Sequence, residues 1–252
     1  MWNPNQYLKF ADERTRPCRD LADHIAIENP ERIIDLGCGP GNSTAVLRER
    51  WPTADITGLD NSPEMIASAR RTEPGTRWIE RDVNEWASTN TEKYDLVFSN
   101  AALQWVPDHH KVFPLLFTHV RTALAIQMPA TSDAPAHVLM REIRISTKWE
   151  SAFEAVKQWH AHSPEDYFDL LSPFARTVDL WQTEYIHVLA NAEAIVEWFK
   201  GSALRPYLDL LVHETDRQRF LEEYLEGIRQ RYPLHDGKIL FPFRRTFLIA
   251  YK

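Results

Sequence analysis

A short apolar run followed by three glycines at alternate positions, residues 33–41, constrains the fold of this chain more than any other stretch. The run at 33–36 is aliphatic except for Asp35, which predicts a strand buried on both faces of a parallel sheet. The glycines that follow are Gly37, Gly39 and Gly41. Residues 45–50 then predict a helix. A strand, a glycine turn and a helix in this order bring a ligand against bare backbone at a helix N-terminus.

The helix after the glycines needs an N-cap, and the sequence offers Asn42, Ser43 or Thr44. The spacing differs from the dinucleotide fingerprint G-x-G-x-x-G, because position 42 is asparagine and the extra glycine comes one place early at Gly41. No lysine follows in the pattern of a nucleotide-binding P-loop, which excludes that class of site.

Three more stretches, at 54–60, 76–81 and 94–100, predict further strands. Polar residues stand at or just after their ends: Asp60, Asp82 and Asn100. A carboxylate about 20 residues beyond a glycine turn is placed to accept hydrogen bonds from both hydroxyls of an adenosine ribose, which suits Asp60.

These residues resemble the successive motifs of the class I S-adenosylmethionine-dependent methyltransferases. The resemblance implies an α/β fold with a doubly wound, mostly parallel, Rossmann-like seven-stranded sheet. It also implies an α-helical cap from the N-terminus and an insertion after strand five. S-adenosylmethionine is then the cofactor and S-adenosylhomocysteine the product. The implied cofactor-binding residues are Asp35, Gly37, Gly39, Gly41, Asp60, Asn61, Asp82, Val83 and Asn100.

A narrower resemblance runs from end to end. The segments at 2–10, 100–105, 127–129, 204–207 and 243–247 are similar to those of trans-aconitate 2-methyltransferases. This implies a methyl ester formed on a carboxylate of trans-aconitate or a closely related polycarboxylate. Methylation of another small molecule, a non-catalytic S-adenosylmethionine-binding protein and a nicotinamide-dependent oxidoreductase remain as alternatives. The glycine spacing disfavours the last of these.

Substrate carboxylates need forked cationic donors, for which arginine is the suitable residue. The resemblance implies that Arg16 (or Arg14), Arg205 and Arg245 bind the substrate. Arg244 and Arg245 alternate on one predicted strand, so only one of them can face inward, and alignment with the family favours Arg245. The other predicted substrate-binding residues are Tyr7, Gln104 and Trp105.

No general base is expected. A carboxylate with a pKa of about 4 is ionised at neutral pH and is its own nucleophile. We therefore expect no catalytic residue in the strict sense, only positioning and exclusion of water. No metal site is expected either, since the His-x-His at 160–162 lacks further ligands.

The chain is expected to form one domain over residues 1–252, with lid helices at 1–30 and a cofactor-binding core at 31–128. A helical insertion that caps the substrate is expected at 129–176, and the rest of the sheet at 177–252. Predicted helices include 17–27, 137–149 and 152–159. Before the fifth strand the family places a glycine-containing turn, from which residues 120–122 are about two residues short.

Composition bounds the partners and the compartment. A net charge of −7 argues against duplex nucleic acid as a partner. No apolar run is long enough to span a membrane, and no signal peptide is visible. The two cysteines, Cys18 and Cys38, do not make a disulfide framework, which indicates a cytoplasmic protein. The expected partner is a small-molecule carboxylate, with no obligate protein partner.

Overall fold

The computed structural model describes residues 11–252. Its helices are α1 (Ala11–His24), α2 (Asn42–Arg50), α3 (Pro63–Thr72), α4 (Val83–Thr89), α5 (His109–Thr118), α6 (Pro135–Arg144), α7 (Pro164–Leu171), α8 (Ala192–Lys200), α9 (Arg205–Leu210) and α10 (Glu214–Arg231). Its strands are β1 (Arg32–Leu36), β2 (Asp55–Asp60), β3 (Arg77–Glu80), β4 (Tyr94–Asn100), β5 (Val120–Pro129), β6 (Thr177–Leu189) and β7 (Ile239–Tyr251). A single 3₁₀ turn, Leu103–Trp105, follows β4.

The strands form one seven-stranded sheet in the order β3-β2-β1-β4-β5-β7-β6. The pairs from β3 to β5 are parallel, and β7 runs antiparallel to β5. The order reverses between β1 and β4, and in such sheets a ligand binds outside the carboxyl ends of the strands at that point. The predicted doubly wound α/β sheet is confirmed.

Two helix starts follow the predicted capping rules. The Ser62 hydroxyl caps α3 by accepting from the Met65 N–H, with proline at the first helical position. Ser163 caps α7 in a capping box with Asp166. Local sequence alone determines both starts.

The first described helix differs from its prediction. Residues 17–27 were expected to form a helix that begins at Pro17, whereas α1 spans Ala11–His24 and passes through Pro17. A proline inside a helix removes one backbone hydrogen bond. Burial of Pro17, Cys18 and Leu21 offsets that loss, so packing outweighs the local signal.

The connection before the fifth strand is a single residue, and the strand begins with a bulge. Helix α5 ends at Thr118 and β5 begins at Val120, so His119 alone joins them. The register of β4 with β5 then shifts between Tyr94 and Leu96, where β5 contains one extra residue. The His119 ring is fixed by hydrogen bonds to Ala87 O at 2.8 Å and the Asn90 side chain at 3.1 Å. Residues 120–122, which were expected to form a shortened turn, belong to the fifth strand instead.

The described chain divides into two compact units. We call Ala11–Pro129, Trp159–Thr183 and Arg245–Lys252 the core unit, and Ala130–Gln158 and Glu184–Arg244 the helical unit. The five segments predicted from the sequence divide the chain differently and stay a prediction. None of the helices within residues 11–252 is long and apolar enough to cross a membrane.

An aromatic cluster forms the interior of the helical unit. It explains why the helix predicted at 152–159 is absent. Residues 152–159 were expected to be helical, but they form isolated turns and irregular chain. Phe153 is fully buried there, with its ring 5.0 Å from those of Tyr207 and Phe220. The segment contains several good helix formers, so the packing of this one side chain outweighs local helix propensity.

Candidate functional site

The glycine turn lies at the carboxyl end of β1, with its backbone bonded to the neighbouring strand. The N–H groups of Gly37 and Cys38 both donate to Leu59 O, at 2.7 and 3.0 Å. Gly37 has φ +72°, and a Cβ there would lie 2.1 Å from the Ala102 Cβ, so only glycine fits. Gly39 has φ +55°, and no atom of the described residues 11–252 outside its chain neighbours lies within 4 Å of the position of a Cβ. The space beside Gly39 is open, as a ligand cradle requires.

Asp60, at the end of β2, shapes this turn directly. Its Oδ2 accepts from the Gly39 N–H at 2.9 Å, and its Oδ1 accepts from the Ser62 N–H at 2.9 Å. Burial raises the pKa of Asp60, while the backbone donors oppose the shift. A carboxylate oxygen has two lone pairs, so both oxygens can still accept from a ligand hydroxyl. The neighbouring Asn61 is exposed.

Asp35 lies in β1 and is completely buried. Its Oδ2 accepts from the hydroxyls of Ser43 and Thr44, at 2.6 and 2.7 Å. Its Oδ1 has no hydrogen-bond partner among residues 11–252. Burial raises the pKa of Asp35 to about 6, although the two hydroxyl donors lower it. A buried acceptor of this kind suits a cationic donor from a ligand.

These hydroxyls also correct the predicted cap of α2. The structure places Gly41 at the N-cap with φ +101° and no side-chain cap, and α2 begins at Asn42. Ser43 and Thr44 lie inside the first turn, where their hydroxyls bond Asp35 instead of the backbone. The charge-assisted bonds to a buried carboxylate are the stronger interaction.

Asp82 and Val83 follow β3. The Asp82 carboxylate caps α4 by accepting from the N–H groups of Asn84 and Glu85, at 2.8 and 3.3 Å. It is exposed, whereas Val83 is buried. This places an acid and an apolar side chain side by side at the carboxyl edge of the sheet.

The end of β4 carries a second group of polar side chains. Asn100 Oδ1 is buried and lacks a hydrogen-bond partner within the described chain. Gln104 is 3% exposed, and its Nε2 donates to Ala101 O at 2.7 Å, which leaves its Oε1 without a partner there as well. Trp105 is half-buried, with its ring edge-on to Trp159 at 5.6 Å. Oriented acceptors therefore lie next to an aromatic wall.

The closing strand brings Arg245 to the same edge. It is 3% exposed, and its Nη1 donates to Gln127 Oε1 at 3.2 Å. Arg244 points the other way, where it bonds Ala130 O and the carboxylate of Asp133. The inward residue of the pair is thus Arg245, as alignment with the family favoured.

Asn100, Gln127 and Arg245 share one face of the sheet. Asn100 pairs with Gln127 in the parallel register of β4 and β5, so their side chains lie on the same side. Gln127 lies opposite Phe247, two residues from Arg245 on β7. Gln127 was missed as a site residue, because only the pairing of β5 with β7 reveals its neighbour.

The 3₁₀ turn that carries Gln104 is held by a buried histidine, which the sequence did not single out. His109 is fully buried, with ring nitrogens 2.9 Å from both Leu103 O and the Tyr167 hydroxyl. A carbonyl only accepts, so Nε2 carries the proton and Nδ1 accepts from Tyr167. The backbone adds a bond from the His160 N–H to Gln104 O at 2.9 Å.

The remaining predicted substrate residues are placed as follows. Arg16 lies on α1 with an exposed side chain, and the side chain of Arg14 is not described. Arg205 belongs to the helical unit, where its Nε lies 2.9 Å from the carboxylate of Asp209. Tyr7 lies outside the described residues. No group of three or more metal-ligating side chains occurs between Ala11 and Lys252.

Comparison with known proteins agrees with this geometry. The family model for a methyltransferase domain matches residues 33–123. A solved S-adenosylmethionine-dependent methyltransferase from Archaeoglobus fulgidus has the same fold, with a TM-score of 0.57 at 17% identity, over 97% of each chain.

Two curated relatives match at much higher identity. The trans-aconitate 2-methyltransferase of Azoarcus sp. (strain BH72) is 46% identical over 99% of this chain and 98% of its own length. That of Escherichia coli O7:K1 is 42% identical over 99% of this chain and 97% of its own. With a matching fold and full-length identity at this level, the chain belongs to the trans-aconitate 2-methyltransferase family.

Proposed function

We propose that this protein transfers a methyl group from S-adenosylmethionine to a carboxylate of trans-aconitate and releases a monomethyl ester. The observation that carries the substrate class is a buried arginine, Arg245, on the sheet face shared with Asn100. A buried guanidinium that lies beside buried polar side chains suits the binding of an anion.

The residues around the glycine turn fit the cofactor. Asp35 Oδ1 and Asn100 Oδ1 are buried acceptors that suit the ammonium group at its methionine end. Asp60 suits the ribose hydroxyls, and Asp82 with Val83 suits the adenine. The open space at Gly39 admits the ligand against the backbone. Bound S-adenosylmethionine supplies an electrophilic methyl group on a sulfonium.

The substrate side of the site is cationic and aromatic. Arg245 holds one carboxylate, and Arg16 and Arg205 are proposed to hold others. Gln104 Nε2 has a second N–H beyond the one that it donates to Ala101 O, and this N–H is proposed to donate to the substrate. Trp105 is proposed to form a wall that excludes water. Tyr7 is proposed to complete that wall.

Catalysis then consists of positioning. A carboxylate with a pKa of about 4 is already ionised at neutral pH, so no residue of the chain has to remove a proton from it. The arginines align the acid, and the buried surroundings of Asp35 and Gln104 keep water out of the reaction.

The experiment is mass spectrometry of acids incubated with the protein and S-adenosylmethionine that carries a deuterated methyl group. The panel contains trans-aconitate, cis-aconitate, citrate and isocitrate. We expect a labelled monomethyl ester from trans-aconitate in large excess over the others. Bound cofactor without ester from any acid would contradict the proposal and favour a non-catalytic cofactor-binding protein.

The site of action is proposed to be the cytoplasm, with a small acid as the partner and neither nucleic acid nor an obligate protein. Cys18 and Cys38 are buried and free, which suits a reducing compartment. Fractionation of cells that produce the protein would test the location.

A further inference from the structure

The side chain of Gln127 is a buried amide that the chain satisfies on one side only. Its Oε1 accepts from Arg245 Nη1 at 3.2 Å. Arginine only donates, so this bond fixes which end of the amide faces Arg245. The opposite end, Nε2, is fully buried and has no hydrogen-bond partner within residues 11–252.

An N–H donor buried without an acceptor is rare in folded proteins and unfavourable, so a partner that arrives with a ligand is the expected explanation. The surroundings point the same way. Asn100 and Arg245 lie on the same sheet face as Gln127, and the Ala101 N–H donates to Gln127 O at 2.9 Å. Gln127 thus lies beside the turn that carries Gln104.

We propose that Gln127 is a substrate-binding residue whose Nε2 donates to the same substrate carboxylate that Arg245 holds. This inference rests on the proposed function and names the contact that selects the acid. A carboxylate has two oxygens with several lone pairs, so one can accept from the guanidinium and the other from the amide. The Oε1 of Gln127 meanwhile keeps the guanidinium in place.

The two donors give a specificity that one charge alone lacks. A single buried cation attracts any anion, whereas a cation and an amide in fixed positions match a planar carboxylate. An acid without that carboxylate leaves the buried Gln127 Nε2 without an acceptor, which a buried site penalises strongly.

The test uses three dicarboxylates that each lack a different carboxylate of trans-aconitate: itaconate, cis-glutaconate and mesaconate. Their inhibition constants are measured with the wild type, with Gln127→Met and with Gln127→Glu. The methionine removes both polar atoms at similar length, and the glutamate keeps the acceptor toward Arg245 but replaces the donor with a negative oxygen. Gln218→Met is the matched control, because Gln218 is exposed and lies on α10, in the helical unit.

We expect Gln127→Met to raise the KM for trans-aconitate and the inhibition constants of two dicarboxylates by about ten- to a hundredfold. The third dicarboxylate is unaffected, because it lacks the carboxylate that Gln127 binds. Gln127→Glu should weaken the same ligands further, through repulsion. The dissociation constant of S-adenosylmethionine should stay unchanged in both variants.

This inference alone is overturned if the wild type esterifies trans-aconitate but Gln127→Met weakens all three dicarboxylates equally, or weakens none of them. Weaker cofactor binding in its place would assign the Nε2 donor to the cofactor and also overturn it. A wild type that neither binds nor esterifies trans-aconitate would overturn the proposed function as well.

Discussion

The carboxylate of Asp60 accepts a hydrogen bond from the N–H of Gly39 at 2.9 Å, which ties the second strand to the glycine turn of the first. Asp60 therefore has two roles: it is proposed to bind the ribose, and it sets the shape of the turn in which the cofactor is proposed to lie. Loss of this one carboxylate should affect both ribose binding and the conformation of the glycine turn.

Asp60→Asn should weaken S-adenosylmethionine binding by about ten- to a hundredfold, as expected for the loss of charged hydrogen bonds. The amide NH₂ cannot accept, so it faces the N–H of either Gly39 or Ser62. Calorimetric titration with the cofactor measures the effect. Asp55→Asn, at the exposed start of the same strand, is the control. Equal losses in both variants would contradict a specific role.

Two alanine substitutions should separate stability from binding. Gly37→Ala brings the new Cβ to 2.1 Å from Ala102 Cβ and should destabilise the fold by several kcal/mol, on the order of 3. Gly39→Ala meets only the φ penalty of about 1–2 kcal/mol, yet fills the open cradle and should abolish cofactor binding. Urea unfolding and cofactor titration report the two effects.

The exposed Gly75, whose Cβ would meet nothing within 4 Å, gives the control for both substitutions. Gly75→Ala should leave stability and binding near wild type. If Gly39→Ala bound the cofactor normally, the space beside Gly39 would not be the cofactor site.

Cofactor affinity should depend on pH through Asp35. Its pKa of about 6 means that the free protein holds it protonated at lower pH, whereas a ligand ammonium needs the carboxylate ionised. Cofactor affinity should therefore fall about tenfold as the pH drops from about 7 to about 5, and it should be constant above about pH 7. Thr44→Val removes a donor, raises this pKa and should move the midpoint upward. Asp35→Asn should bind S-adenosylmethionine weakly at every pH. If its affinity still fell with pH as in the wild type, another group would be responsible for the pH dependence.

Acid stability should depend on His109. Burial lowers the pKa of His109 to about 4, with His162 and His160 adding to the shift. The unfolded value is about 6.5, so the contribution of neutral His109 to stability is complete above that pH. It is lost as the pH falls from about 6.5 through about 4, to a total of roughly 3 kcal/mol.

Urea unfolding across this range measures the loss. His109→Gln should flatten the curve while partly replacing the bonds to Leu103 O and the Tyr167 hydroxyl, since an amide both donates and accepts. His110→Gln, an exposed neighbour, should change nothing. If the wild-type curve persisted in His109→Gln, another group would be responsible.

The adjacent arginines of β7 should behave differently. Arg245→Lys replaces a planar fork with a point charge and should raise the KM for trans-aconitate about ten- to a hundredfold. Arg244→Lys, whose partner Asp133 lies at the surface, should remain near wild type. Steady-state kinetics with both substrates check this, and similar effects in the two variants would remove Arg245 from the site.

Much of the cofactor half of the site could be predicted from the sequence. The strand 94–100 is where its pattern placed it, and Gly37, Gly39, Asp35 and Asp60 meet at the carboxyl edge as a parallel sheet requires. Four local predictions were wrong: the start of the first helix at Pro17, the N-cap of α2, the end of the helix predicted at 137–149 and the helix at 152–159. In the first and the last of these, burial of a few side chains outweighed the local signal.

The sequence by itself determined the class of fold and the family, because glycine turns, strand periodicity and capping residues act over a few neighbouring positions. Only the tertiary structure decided which polar atoms lie together. Gln127 and Arg245 are 118 residues apart in the chain, and their bond follows from the antiparallel pairing of β5 with β7. Likewise, His109 reaches Tyr167 across 58 residues. Such pairs depend on register and burial, which long-range packing sets and local sequence cannot encode.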